Sequence, residues 1–191
     1  MPLSAPAPRE LLHTRQIECQ GFQRNDGLWD IEAHMTDRKS YSFPSDEQGE
    51  VVAGTPIHDM WLRVTLDDSL VIQAIETVTD SSPYRLCPAI TPNFQRLVGL
   101  RIGPGFNRRV KELVGGVEGC THLVELMGPL ATTAFQTIFS AKHRQERERA
   151  AREGIAPARP SKRPRLIDTC HAHASDSPVT KRNWPEFYTG S

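Results

Sequence analysis

Asn25-Asp26-Gly27-Leu28-Trp29-Asp30-Ile31-Glu32-Ala33-His34-Met35 is a turn signal followed by a strict alternation. Asn-Asp-Gly suits the tight backbone of a hairpin. Beyond it Trp29, Ile31, Ala33 and Met35 share one face of an extended chain, while Asp30, Glu32 and His34 share the other. The preceding stretch, His13 to Arg24, reads as the partner strand, with Ile17, Cys19 and Gly21 on one face. A second hairpin repeats the scheme. Met60, Leu62, Val64 and Leu66 alternate, Asp67-Asp68-Ser69 turns the chain, and Leu70 to Asp80 returns rich in Val, Ile and Thr. Four antiparallel strands follow, and the acidic face with His34 reads as the side the sheet turns to water. Lys39 to Thr55, carrying Pro44, Gly49 and Gly54, reads as a loop.

After Ser81-Ser82-Pro83 the pattern becomes helical. Thr91-Pro92-Asn93 opens a short helix through Val98, and Asn107 to Val114 forms another. From Cys120 a long helix runs to about Arg152, with Leu123, Leu126, Leu130, Ala134, Thr137, Ile138 and Ala141 along one side. Gly128-Pro129 should kink it. The expected fold is α+β: a four-stranded antiparallel sheet with helices packed on one face, a long C-terminal helix and a docked C-terminal arm. Trp29, Trp61 and Phe135 are expected in the core. Residues 1–10 are a flexible N-terminus, 11–155 a single domain, and 156–191 a basic Pro-rich linker and arm. Leu166 to Ala172 and Trp184 to Tyr188 are too apolar for a loose tail. They should fold over their own domain or join a neighbouring subunit, which would make a homo-oligomer.

The chain has 191 residues, with 23 Lys+Arg balancing 23 Asp+Glu and an apolar fraction of 38%. Nothing in that balance points to nucleic acid or an anionic membrane as partner. The basic run Arg159, Lys162, Arg163, Arg165 has no interleaved aromatics and has acids close by. No signal peptide and no membrane-spanning run is expected. Cys19, Cys87, Cys120 and Cys170 stand too far apart for a small disulfide scaffold, which suits a reducing, cytoplasmic setting.

The chemistry-bearing residues stand at element boundaries. Gly119-Cys120-Thr121-His122 opens the long helix, where unpaired N–H groups and the helix dipole favour an anion. His58-Asp59 begins the third strand, Cys87 follows the fourth, and Cys170-His171 lies in the arm. Thiolates and imidazoles suit zinc or iron. His58, Cys87 and Cys120 are the expected ligands, with Asp59 as a fourth ligand or the partner that fixes the His58 tautomer, and Cys170 or His171 as a cover. His122 or Asp59 would handle protons. The alternatives are a metal-free thiol enzyme, with Cys120 as nucleophile and His122 or His171 as base, and a non-catalytic partner-binding module. The bland readings stand beside these: Cys19 as a small buried hydrophobe, Cys87 as another, and His122 as a helix-end partner of Glu125.

Gly27-Leu28-Trp29-Asp30-Ile31-Glu32, Ile57-His58-Asp59-Met60-Trp61-Leu62-Arg63, Gly119-Cys120-Thr121-His122-Leu123 and Asp168-Thr169-Cys170-His171-Ala172 together resemble an uncharacterised bacterial family, domain of unknown function 2889. The resemblance runs from about His13 to Tyr188 and implies a bacterial cytoplasmic protein with no established activity. Residues 54–141 also resemble, in order of elements, the iron–sulfur cluster assembly scaffolds. His58 stands where those carry their first cysteine, and the glycine before the aspartate is missing. That resemblance implies a metal site altered towards imidazole.

Overall fold

Strands β1 (His13–Gln23) and β2 (Trp29–Lys39) close on the Asn25-Asp26-Gly27 turn, where Gly27 takes the left-handed φ of 87°. The computed structural model describes residues 3–155, 162–164 and 166–191; most of the expected Pro-rich linker, Arg159 included, lies outside the described residues. β5 (Pro56–Leu66) and β6 (Ile72–Ser81) make the second hairpin, and the sheet order is β1-β2-β5-β6, antiparallel throughout. The segment expected as loop holds a small sheet of its own, β3 (Phe43–Ser45) with β4 (Gly49–Val51). Its six-residue pattern is too short to alternate visibly.

Alternation sorts the faces as expected. Trp29, Ile31, Ala33 and Met35 of β2 and Met60, Leu62, Val64 and Leu66 of β5 are buried together. Opposite them Glu32, Arg63 and Glu76 form a ladder of exposed ion pairs. Trp61 is a correction. It shares parity with Arg63 rather than Met60, so it stands 41% exposed on the wet face, stacked on His34 with ring centroids 3.6 Å apart.

The chain crosses from the sheet into a 3-10 helix, Cys87–Leu97, which buries Phe94 and Leu97. The helix α1 (Phe106–Val114) presents Phe106, Val110 and Val114 inward at helical spacing. Then α2 (Thr121–Glu153) runs through Pro129 as one helix. Leu123, Leu126, Leu130, Ala134 and Ile138 join the same core as the inner sheet face, so the sheet is covered on one side. The chain forms two compact units, Met1–His143 and Arg144–Ser191. In the second, Ser177 caps α3 (Pro178–Asn183) by accepting from the Thr180 N–H. Asp168 Oδ1 accepts from the Ser175 N–H at 2.8 Å, and the rings of His173 and Trp184 lie 5.8 Å apart. Of the arm's apolar residues Ile167 is buried and Trp184 half-buried, while Leu166 is exposed.

Candidate metal centre

The inner row of the sheet ends in polar residues. Continuing β2 by its period of two past Met35 gives Asp37, and continuing β5 back past Met60 gives His58. The two are register partners. Because β2 and β5 are central strands, Asp37 is enclosed and only 1% exposed. Such a carboxylate needs its lone pairs filled. Oδ1 accepts from Arg15 Nε at 2.8 Å and meets His13 Nε2 at 2.9 Å, while Oδ2 accepts from Arg15 Nη2 at 2.7 Å and from His58 Nδ1 at 3.0 Å. Arg15 faces Asp37 across the β1–β2 ladder and also reaches Glu125 of α2.

The first turn of α2 closes the site. Cys120 is the cap residue, its carbonyl accepting from the Val124 N–H at 2.9 Å. His122 turns its ring onto that of His58, with centroids 3.8 Å apart. Asp37, His58 and His122 each offer one ligand atom within 4.8 Å of the others, and they are the one such group of three among the described residues. Cys120 Sγ lies 3.8 Å from His122 Nδ1. Cys120 and Cys87 both line a cavity of about 560 Å³ that also touches His58 and His122.

Electrostatics favour ligands in their metal-ready states. Burial pushes the His58 imidazole below its ordinary range, overcoming the pull of Asp37 in the other direction. Burial also lowers His122, helped by His58 and Arg15 nearby. Burial would raise the Asp37 carboxyl, but Arg15 and His13 outweigh it and hold it well below the usual carboxylate range. The result is two neutral imidazoles beside one carboxylate.

The expected ligands are thus divided. His58 and Cys120 stand at the site, Cys87 lines the adjoining cavity, and His122 is a member of the triad. Asp59 is elsewhere: one residue past His58 it points to the opposite face, where Oδ1 meets His34 Nε2 at 2.7 Å. Cys170 and His171 belong to the second unit, with Cys170 exposed and its Sγ 3.5 Å from His173 Nδ1. Asp37, Arg15 and His13 are not among the expected site residues. The available signal for Asp37 was its parity with Met35.

A family model described as protein of unknown function (DUF2889) matches residues 13–136. The chain belongs to that family. The match takes in the whole four-stranded sheet, α1 and the first turns of α2, hence every member of the site. No curated protein and no solved structure matches the chain, so the expected likeness to iron–sulfur scaffolds is not shown. Among the described residues no helix is long and apolar enough to cross a membrane.

Proposed function

We propose that this DUF2889 protein binds one zinc or iron ion through Asp37, His58 and His122 and uses it to activate a small molecule in the adjoining cavity. The carrying observation is the closed triad itself. Two imidazoles and a carboxylate, with positions left open, are a ligand set shared by catalytic zinc and non-haem iron. Two ligand atoms each about 2.1 Å from an ion stand about 3.0 Å apart at the right angles of six-coordinate iron and about 3.4 Å apart at the tetrahedral angle of zinc. The Nδ1 to Oδ2 distance between His58 and Asp37 is 3.0 Å. An ion held by His58 and Asp37 would displace the proton they share, and the three bonds to the carboxylate from Arg15 and His13 would remain. Such bonds behind a ligand are what fix its direction. The ion would supply Lewis-acid chemistry: polarising a carbonyl or activating bound water.

Cobalt(II) substitution tests this reading. The wild-type chain should take up one cobalt with a visible ligand-field spectrum. Asp37→Asn, His58→Ala and His122→Ala should each lose it while keeping the far-ultraviolet circular dichroism of the parent. Uptake unchanged in His122→Ala would sink the proposal.

A second reading rests on the 3.8 Å approach of Cys120 Sγ to His122 Nδ1. There Cys120 is a nucleophile and His122 its base, without metal. The two readings share one imidazole and divide on whether the wild-type chain takes up metal at all. All four cysteines are free, which fits the bacterial cytoplasm that the family resemblance suggests.

A further inference from the structure

The cavity beside the triad has a lining that selects its guest. Among the described residues that line it none is Lys, Arg, Asp or Glu. Met60, Ile90 and Ala89 contribute hydrocarbon from β5 and the 3-10 helix. Tyr84, Leu86 and Val117 stand 62%, 79% and 93% exposed, an unusual outlay of large apolar groups on a rim. Polar side chains are confined to the Tyr84 hydroxyl, Thr121, the two imidazoles and the two thiols. The second sizeable cavity, about 530 Å³, is the contrary case: Lys111 and Glu125 line it and neither imidazole does.

In the metal-free protein a charged guest entering the first cavity would shed water without meeting a counter-charge from the lining. Arg15, which holds Asp37 behind the triad, is already committed to Asp37 and Glu125. Apolar surface, by contrast, gains from burial. The volume suits a small organic molecule.

From this lining we infer that the cavity receives an uncharged apolar molecule, with an aromatic or branched aliphatic body and one neutral carbonyl oxygen directed at His58 and His122. The direction of the oxygen rests on the metal reading above. The choice of an apolar, uncharged body does not.

Acetophenone is the probe, followed by saturation-transfer NMR on the full chain, first without metal and then with zinc. It should bind the metal-free protein, while phenyl phosphate and benzylamine bind about tenfold more weakly because each carries a charge. Leu86→Asp and Val117→Asp alter exposed side chains and should leave the fold intact, and each should weaken acetophenone about fivefold. Zinc should then tighten it further in wild type but not in His122→Ala. Phenyl phosphate binding the metal-free protein as well as acetophenone does, or rim variants binding as wild type does, overturns the inference. So does a dimer that dissociates in the rim variants by light scattering, since the rim would then belong to a second copy. If acetophenone binds as expected and zinc does not bind at all, the metal reading fails and the apolar cavity stands. If zinc binds and acetophenone does not, the reverse holds.

Discussion

The imidazole of His58, on the third strand of the main sheet, lies against that of His122 in the first turn of α2, ring centroids 3.8 Å apart and 35° from parallel. Two such rings would repel if both were protonated, and burial together with mutual proximity lowers the pKa of His122. What the pair can hold is a lone-pair acceptor shared between strand and helix. With Asp37 on the same side, that acceptor is most naturally a cation.

Arg15 should matter to metal binding without touching metal. Its guanidinium grips both oxygens of Asp37 and ties the carboxylate to Glu125 on α2. Lysine keeps the charge but cannot reproduce the two-pronged grip. Arg15→Lys should therefore weaken cobalt binding about tenfold, in the range seen when partners behind a ligand are removed. Calorimetric titration of both chains reads it; equal affinities would mean that Asp37 orients itself.

Much of this was legible beforehand, and the limit was parity rather than composition. Trp29, Ile31, Ala33 and Met35 announce a buried face, and the paired hairpins fix the sheet. The same counting carried two steps further leads to Asp37 and His58, and it sends Asp59 and Trp61 to the far side. His58 and Asp59 look like a pair in sequence because they are adjacent; in a strand adjacency guarantees that they part. Arg15 could not be read this way, since its role depends on a cross-strand register that only the folded ladder supplies. His122 announced itself through the glycines and the helix start.

Acid should unfold the protein in two stages. His58 and His122 have folded pKa values below their ordinary ones, so the unfolded chain takes protons first. Stability is then lost as pH falls below about 6.5, the ordinary imidazole value. Asp37 is also depressed, so its contribution is complete above the ordinary carboxylate value, about 4, and drains away below it. Urea melts of metal-free protein at several pH values should show both losses. Asp37→Asn should shrink the lower one, leaving what other depressed carboxyls such as Asp68 contribute. A flat profile between pH 7 and 5 would contradict the buried, neutral imidazoles.

The cysteines separate the two functional readings. Neither Cys87 nor Cys120 belongs to the closed triad, although both line the cavity. Cys120→Ala and Cys87→Ala should keep cobalt affinity within about threefold, whereas a lost imidazole ligand costs far more. If Cys120→Ala abolishes uptake, sulfur is a ligand after all. If it leaves metal intact but ends a measured turnover, the thiol is the reacting group.

The approach of α2 to β1 can be tested through Gly21, which lies opposite Ile31 in the ladder. A Cβ built at Gly21 would fall 2.7 Å from both Cβ and Cγ2 of Thr137 and closer still to its hydroxyl. Real carbons do not approach so near, so a methyl there must push the helix away from the strand. Overpacking of this kind costs about 1–3 kcal/mol. Against it, replacing glycine in a strand recovers roughly 0.5–1 kcal/mol of backbone entropy. Gly21→Ala should therefore destabilise by about 1–2 kcal/mol, because the steric cost is the larger. Thr137→Ala removes the hydroxyl and methyl that the new carbon meets, leaving only Thr137's own Cβ in the way. The double variant should be more stable than the sum of the two changes predicts, with a coupling of about 1 kcal/mol by denaturant melts. Strict additivity would mean that strand and helix do not meet at this pair. The spacing that sets His122 over His58 depends on the same helix, so cobalt affinity should fall in Gly21→Ala and recover in the double variant.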